Sequence, residues 1–158
     1  VKVTLIALLL QGIPESIALV TLAFVIAKIS IRWDRIILFG TGLAFCMYLV
    51  RQLPLPFGLH IIVNIILLFI VLLREGKGDF SLALISSLSS DLSLIILEAA
   101  CTSLIINIFG VTLGNLSINS GIWILMGEPQ VLLLFCLAFL LNKFYLKRGQ
   151  NNGFFISK

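Results

Sequence analysis

Along the chain, apolar residues come in five long runs separated by short polar segments, and each run approaches the length of one membrane crossing. A helix rises roughly 1.5 Å per residue, so about 20 residues span a hydrocarbon core of roughly 30 Å. The pattern predicts helices over 3–27, 36–52, 57–73, 82–109 and 129–147, an all-α polytopic arrangement with about five transmembrane helices. The second run is the shortest. It can use Trp33 at one end and Arg51-Gln52 at the other, as an interfacial aromatic and a snorkelling cation.

Three places complicate the pattern. The first run is broken by Gln11-Gly12-Ile13-Pro14-Glu15-Ser16, and proline inside a helix removes a hydrogen bond and kinks the axis. One kinked helix is expected, the alternative being a helix that starts at Ile13 with Pro14 in its first turn. The fourth run carries Ser86, Ser87, Ser89, Ser90, Asp91 and Ser93, so its first half, 81–90, reads as partly interfacial. Before the fifth run, the turn formers Gly114, Asn115, Asn119 and Gly121 precede a short apolar stretch, 122–126, that suits a helix lying in the membrane surface.

Composition changes the picture from apolar helices to a membrane domain. The 158 residues are 60% hydrophobic and 11% charged, with a mean hydropathy of +1.18. A soluble domain of this size keeps much of its surface exposed, and this chain has too few polar residues to cover it. A lipid bilayer removes that demand, so residues 1–158 read as one transmembrane domain. Its first apolar run is too long for a signal-peptide core and is expected to be retained.

The net charge of +4 does not point to nucleic acid, because the basic residues are scattered in small groups without a basic stripe. Their placement encodes topology instead. Lys28, Arg32 and Arg35 follow the first helix, Arg74 and Lys77 follow the third, and Lys143, Lys147, Arg148 and Lys158 end the chain. Those nine lie on one side, against Lys2 and Arg51 on the other. The positive-inside rule then predicts an outer N-terminus and a cytoplasmic C-terminus.

Ionisable groups inside a membrane are expensive, so each is a functional candidate that needs a partner. Glu15 falls near the midplane of the first helix, while Asp91 and Glu98, seven residues apart, share one helix face with Ser87 and Thr102. Arg51 and His60 flank a turn rich in proline, and Asn64 lies one helical turn beyond His60. With the predicted topology, Arg51, His60, Asn64, Glu98 and Glu15 can line a polar pocket open to the outside. The plainer readings are an Arg51–Glu98 pair that only locks two helices, a capping role for His60, and serines that satisfy backbone carbonyls.

Catalytic chemistry finds little footing. A nucleophile needs a base within reach and the base an orienting group, yet the single histidine lies far along the chain from Cys46, Cys101 and Cys136. No enzyme activity, metal site, cofactor or disulfide is expected.

The stretches Gln11-Gly12-Ile13-Pro14-Glu15, Arg51-x-Leu53-Pro54-Leu55-Pro56-Phe57-Gly58-x-His60 and Gly127-x-Pro129-Gln130-Val131 resemble those of small integral membrane proteins of spore-forming Gram-positive bacteria. The layout also resembles the membrane sensor portion of GHKL-type histidine kinases, such as the receptors of accessory-gene-regulator quorum sensing. The resemblance implies a multi-pass protein of the bacterial plasma membrane that takes part in signal transduction. The segment from Asn142 onward is too short for a kinase domain, so a histidine kinase or another membrane subunit is expected in trans, or the chain is a fragment of a kinase. The leading expectation is a non-enzymatic membrane sensor or accessory protein. The alternatives are a small transporter or substrate-binding subunit and a structural assembly factor, each compatible with a homo-oligomer.

Overall fold

The computed structural model describes residues 8–52, 59–76, 78–109 and 120–151, and among them every regular element is helical. A π-helical turn, Leu8–Gly12, leads into α1 (Ile13–Ile26), followed by α2 (Trp33–Gln52), α3 (Leu59–Glu75), α4 (Phe80–Phe109) and α5 (Ser120–Asn151). Trp33–Gln52, Phe80–Ile108 and Pro129–Lys147 are long and apolar enough to cross a membrane, and Leu10–Ile26 forms a shorter apolar helix. At 17 residues, α3 adds about 25 Å of helix.

The first helix is the axis of the bundle. Ile17 through Ile26 carries no charged residue, and a helix that is apolar on every side is stable only when surrounded. Every residue from Ala18 to Val25 is buried. Helices α2 and α5 pack along α1 most extensively, α4 lies against it as well, and α3 completes the ring by joining α2 to α4. Trp33 of α2 and Phe139 of α5, with ring centroids 6.3 Å apart, bring the ends of that ring together.

Close approach makes this enclosure possible. A Cβ added at Gly40 would stand 2.7 Å from Ile17 Cγ1 and 2.9 Å from Ile17 Cα, so at this crossing the α2 backbone lies almost on α1. Gly40 and the buried Ala44 form a pair of small residues four apart, which lets membrane helices approach closely. Gly42 differs sharply, because a Cβ there meets nothing within 4 Å.

The start of α1 reconciles the two sequence readings. The backbone is helical from Leu8, but it is π-helical up to Gly12 and α-helical from Ile13, with Pro14 in the first α-helical turn. Proline has no N–H for the carbonyl four residues back, and its ring crowds that carbonyl. The wider π register ends where that conflict would arise, so the helix changes register rather than ending.

The end of α1 is a Schellman motif. Lys28 adopts a left-handed conformation (φ 56°), Lys28 N–H donates to Val25 O at 3.1 Å, and Ile29 N–H donates to Phe24 O at 2.9 Å. Lysine is an unusual residue here. Its ammonium lies 5.7 Å from the Tyr145 ring of α5, a cation–π contact that ties this corner to the last helix. Helices α3 and α4 join through a tight turn in which Gly78 (φ 87°) donates its N–H to Leu73 O and Asp79 O accepts from Ala83.

One end of the bundle gathers the cations. Arg35 at the start of α2 hydrogen-bonds Glu75 at the end of α3, while Lys28 meets Tyr145 near Lys143 and Lys147. Arg32 and Arg74 lie at the same level. Arg51 belongs to the opposite end, about 24 Å along α2 from Arg35.

Several boundaries depart from the hydropathy reading. α2 begins at Trp33 and not at residue 36, since the Arg32 carbonyl accepts the first helical bonds from Arg35 and Ile36. α4 begins at Phe80 and not at 82, following the Asp79 carbonyl. α5 begins at Ser120 and runs through Pro129, where the sequence suggested a separate surface helix. One proline removes one hydrogen bond, which a long helix tolerates. The predicted start of the third helix at 57, the proline turn over 53–58, and the expected first residues 3–7 lie outside the described residues.

The Gly40 contact yields a paired test. Gly40→Ala is expected to destabilise the bundle by about 1–3 kcal/mol through overpacking against the α1 backbone. Gly42→Ala is expected to leave it unchanged or slightly more stable. Unfolding of the purified protein by SDS titration checks both, and equal effects would mean that the α1–α2 approach is looser than described.

Candidate functional site

Buried polar groups concentrate on the inner face of α4. Ser86, Ser87 and Ser90 are fully buried, and Asp91 is 2% exposed. Three hydroxyls of this helix satisfy its own backbone: Ser87 donates to Leu84 O at 2.9 Å, Ser90 to Ser86 O at 2.7 Å, and Ser93 to Ser89 O at 2.8 Å. In α1, Thr21 donates to Ile17 O at 2.7 Å in the same way.

Asp91 reaches outside its helix. Asn64 Nδ2 on α3 donates to Asp91 Oδ1 at 2.6 Å, and both residues are buried. The α3–α4 turn explains their meeting. Asn64 lies twelve residues before Gly76 and Asp91 twelve after Asp79, so both stand about 18 Å along antiparallel helices from the turn. That height is near the middle of a core roughly 30 Å thick.

The pair leaves acceptor capacity unused. An ionised carboxylate has two oxygens and about four lone-pair directions, whereas Asp91 Oδ2 is buried without a protein hydrogen-bond partner. Ser86 Oγ shares that condition. Asp91 can therefore take one more hydrogen bond or hold a small cation, in surroundings where electrostatic interactions are little screened.

A second group lies toward the other end. Glu15 on α1 is within electrostatic range of Arg51 on α2 and Glu98 on α4. Arg51 and Glu98 are both exposed on the bundle surface, while Glu15 is half-buried. Among the described residues the salt bridges are Arg32–Asp34 and Arg35–Glu75, so Arg51 and Glu98 each act on Glu15 through space without a closed ion pair. His60 sits at the start of α3, half-buried, one turn before Asn64.

Five of the six candidates thus divide between two places, and His60 stands at the start of α3. Asn64 and Asp91 form one bonded pair in the interior, and Glu15, Arg51 and Glu98 form a looser charged group. Asp91 and Glu98 do not share a buried face. The inner stripe of α4 narrows beyond Asp91 to Leu94, Leu97 and Cys101, and Glu98 is left exposed beside it. The Asn64–Asp91 bond could have been found in the sequence by counting equal distances from the turn at 76–79.

Cys46 on α2 and Cys136 on α5 are exposed, and Cys101 on α4 is buried. Among the described residues, no three His, Cys, Asp or Glu side chains form a group that could hold a metal ion.

A double-mutant cycle measures the Asn64–Asp91 bond. Interhelical hydrogen bonds in membrane proteins contribute about 0.6 kcal/mol on average and up to about 1.7, so a coupling of about 1 kcal/mol is expected between Asn64→Leu and Asp91→Leu in SDS unfolding. Asn64→Leu alone should cost more than Asp91→Leu, because it strands a buried carboxyl. Additive effects would mean that the bond contributes nothing.

Comparison with known protein families, with curated proteins and with solved structures finds no match to this chain.

Proposed function

We propose that the chain is a non-enzymatic sensor or accessory subunit of the bacterial plasma membrane, crossing it five times with the N-terminus outside and the C-terminus in the cytoplasm. The basic end formed around Arg35, Lys28 and Lys143 supports this orientation, since cytoplasmic loops hold the excess of Lys and Arg. With native cysteines replaced by serine, a membrane-impermeant maleimide should label Leu59→Cys in intact cells and Asp34→Cys only after permeabilisation. The reverse pattern would invert the topology.

One observation carries the sensor reading: Glu15, Arg51 and Glu98 come from three helices, Arg51 and Glu98 both act on Glu15, and the group sits toward the end opposite Arg35 and Lys28. An unclosed charge group on a membrane helix surface is costly unless something meets it. An external signal that pairs with Arg51 or Glu98 shifts the balance among α1, α2 and α4, and the cytoplasmic end passes that shift to a histidine kinase or other membrane subunit in trans. The resemblance to the membrane portion of GHKL-type sensors agrees with this role.

The second reading, a small ion- or substrate-binding membrane subunit, is favoured by a different group, the buried Asp91 with its open Oδ2. One set of strains separates the two. Gene deletion, Arg51→Gln and Glu98→Gln should each change the transcriptional output of a two-component pathway, whereas Asp91→Asn should remove cation or substrate flux in proteoliposomes if the second reading holds. Wild-type output in the first three rejects the sensor. Flux that is absent from the unsubstituted protein rejects the transporter.

A further inference from the structure

Helices α2 and α3 leave an open apolar groove between them on the outside of the bundle, lined on α2 by Phe39, Gly42 and Cys46 and on α3 by Leu67 and Ile70. Gly42 gives the groove its width, because its missing side chain leaves open space. The two lining stripes follow helical spacing, and each ends on a cation at the basic end. On α2 the line Cys46, Gly42, Phe39 continues to Arg35, and on α3 the line Leu67, Ile70 continues to Arg74. Arg74 is exposed, and Arg35 keeps 44% of its side chain exposed while bonding Glu75.

We infer that this groove binds one anionic phospholipid, with an acyl chain between α2 and α3 and its phosphate at Arg74 and Arg35. Length and charge both fit this occupant. From Arg35 to Cys46 is about 17 Å of helix, close to the roughly 15 Å depth of a single leaflet's hydrocarbon. Arginine presents several donors in a planar fork that matches phosphate oxygens, and basic sites between transmembrane helices on the cytoplasmic side suit anionic headgroups. A zwitterionic lipid offers the same tail, but its own cation opposes the two guanidinium groups. The inference requires only that these helices reside in a membrane and is independent of the sensor reading.

Cys46 at the deep end of the groove and Cys136, exposed on α5 outside it, supply a reporter and an internal control. The full chain in detergent micelles is titrated with dioleoylphosphatidylglycerol or dioleoylphosphatidylcholine, and maleimide labelling rates of both cysteines are followed. The anionic lipid should slow Cys46 labelling at a concentration about fivefold lower or more, given the contribution of each Arg near a membrane surface, and leave Cys136 unaffected. Arg74→Gln should bring the two lipids closer together. Gly42→Leu, placed where the fold has room, should abolish lipid-dependent protection while circular dichroism shows unchanged helicity. Equal protection by the two lipids in the unsubstituted protein would overturn the inference, as would undiminished protection in a folded Gly42→Leu variant.

Discussion

Helices in a bilayer cannot be driven together by expelling water, because the lipid tails they leave are as apolar as the side chains they meet. Cohesion must come from close van der Waals approach and from hydrogen bonds between helices. The contact of Gly40 with the Ile17 backbone is therefore the interaction on which the arrangement depends. It lets α1 be clasped along its length, and Phe24, Leu19 and Leu22 pack fully buried against the surrounding helices.

Polar groups follow from the same solvent. With no water to satisfy a hydroxyl or carboxyl, each buried one must bond its own helix or a neighbour. The serines of α4 take the first course and so present small side chains to the interior, while Asn64 and Asp91 take the second and fix α3 against α4 at mid-height. The chain thus stiffens one hairpin by a hydrogen bond and the α1–α2 pair by close packing. Asp91 Oδ2 and Ser86 Oγ stand apart from this accounting, each buried without a protein hydrogen-bond partner.

The two ends of the bundle differ in charge and in how it is held. At the basic end, Arg35 is bonded to Glu75 and Lys28 lies over Tyr145, so cations serve as corner fastenings. Toward the other end, Glu15 lies within electrostatic range of Arg51 and Glu98, and among the described residues none of the three closes a salt bridge. The bundle is thus fastened at one end and open at the other.

Much of the architecture was legible in the chain itself. The apolar runs marked the five helices found among the described residues, and their boundaries shifted mainly where a backbone carbonyl or a tolerated proline extended a helix, as at Arg32, Asp79 and Pro129. Loop charges marked which ends lie together, and Glu15, Asp91 and Glu98 stood out because ionisable residues are rare in apolar runs. Sequence alone thus determined the helical class, the polarity of the bundle and the list of candidate residues, because hydropathy and charge are local properties of a segment. Only the tertiary structure decided that the first helix lies at the centre, that Asn64 bonds Asp91, and that Glu98 lies on the surface. Those outcomes depend on which helix faces meet, which is set by small residues such as Gly40 and by the height of each residue above a turn.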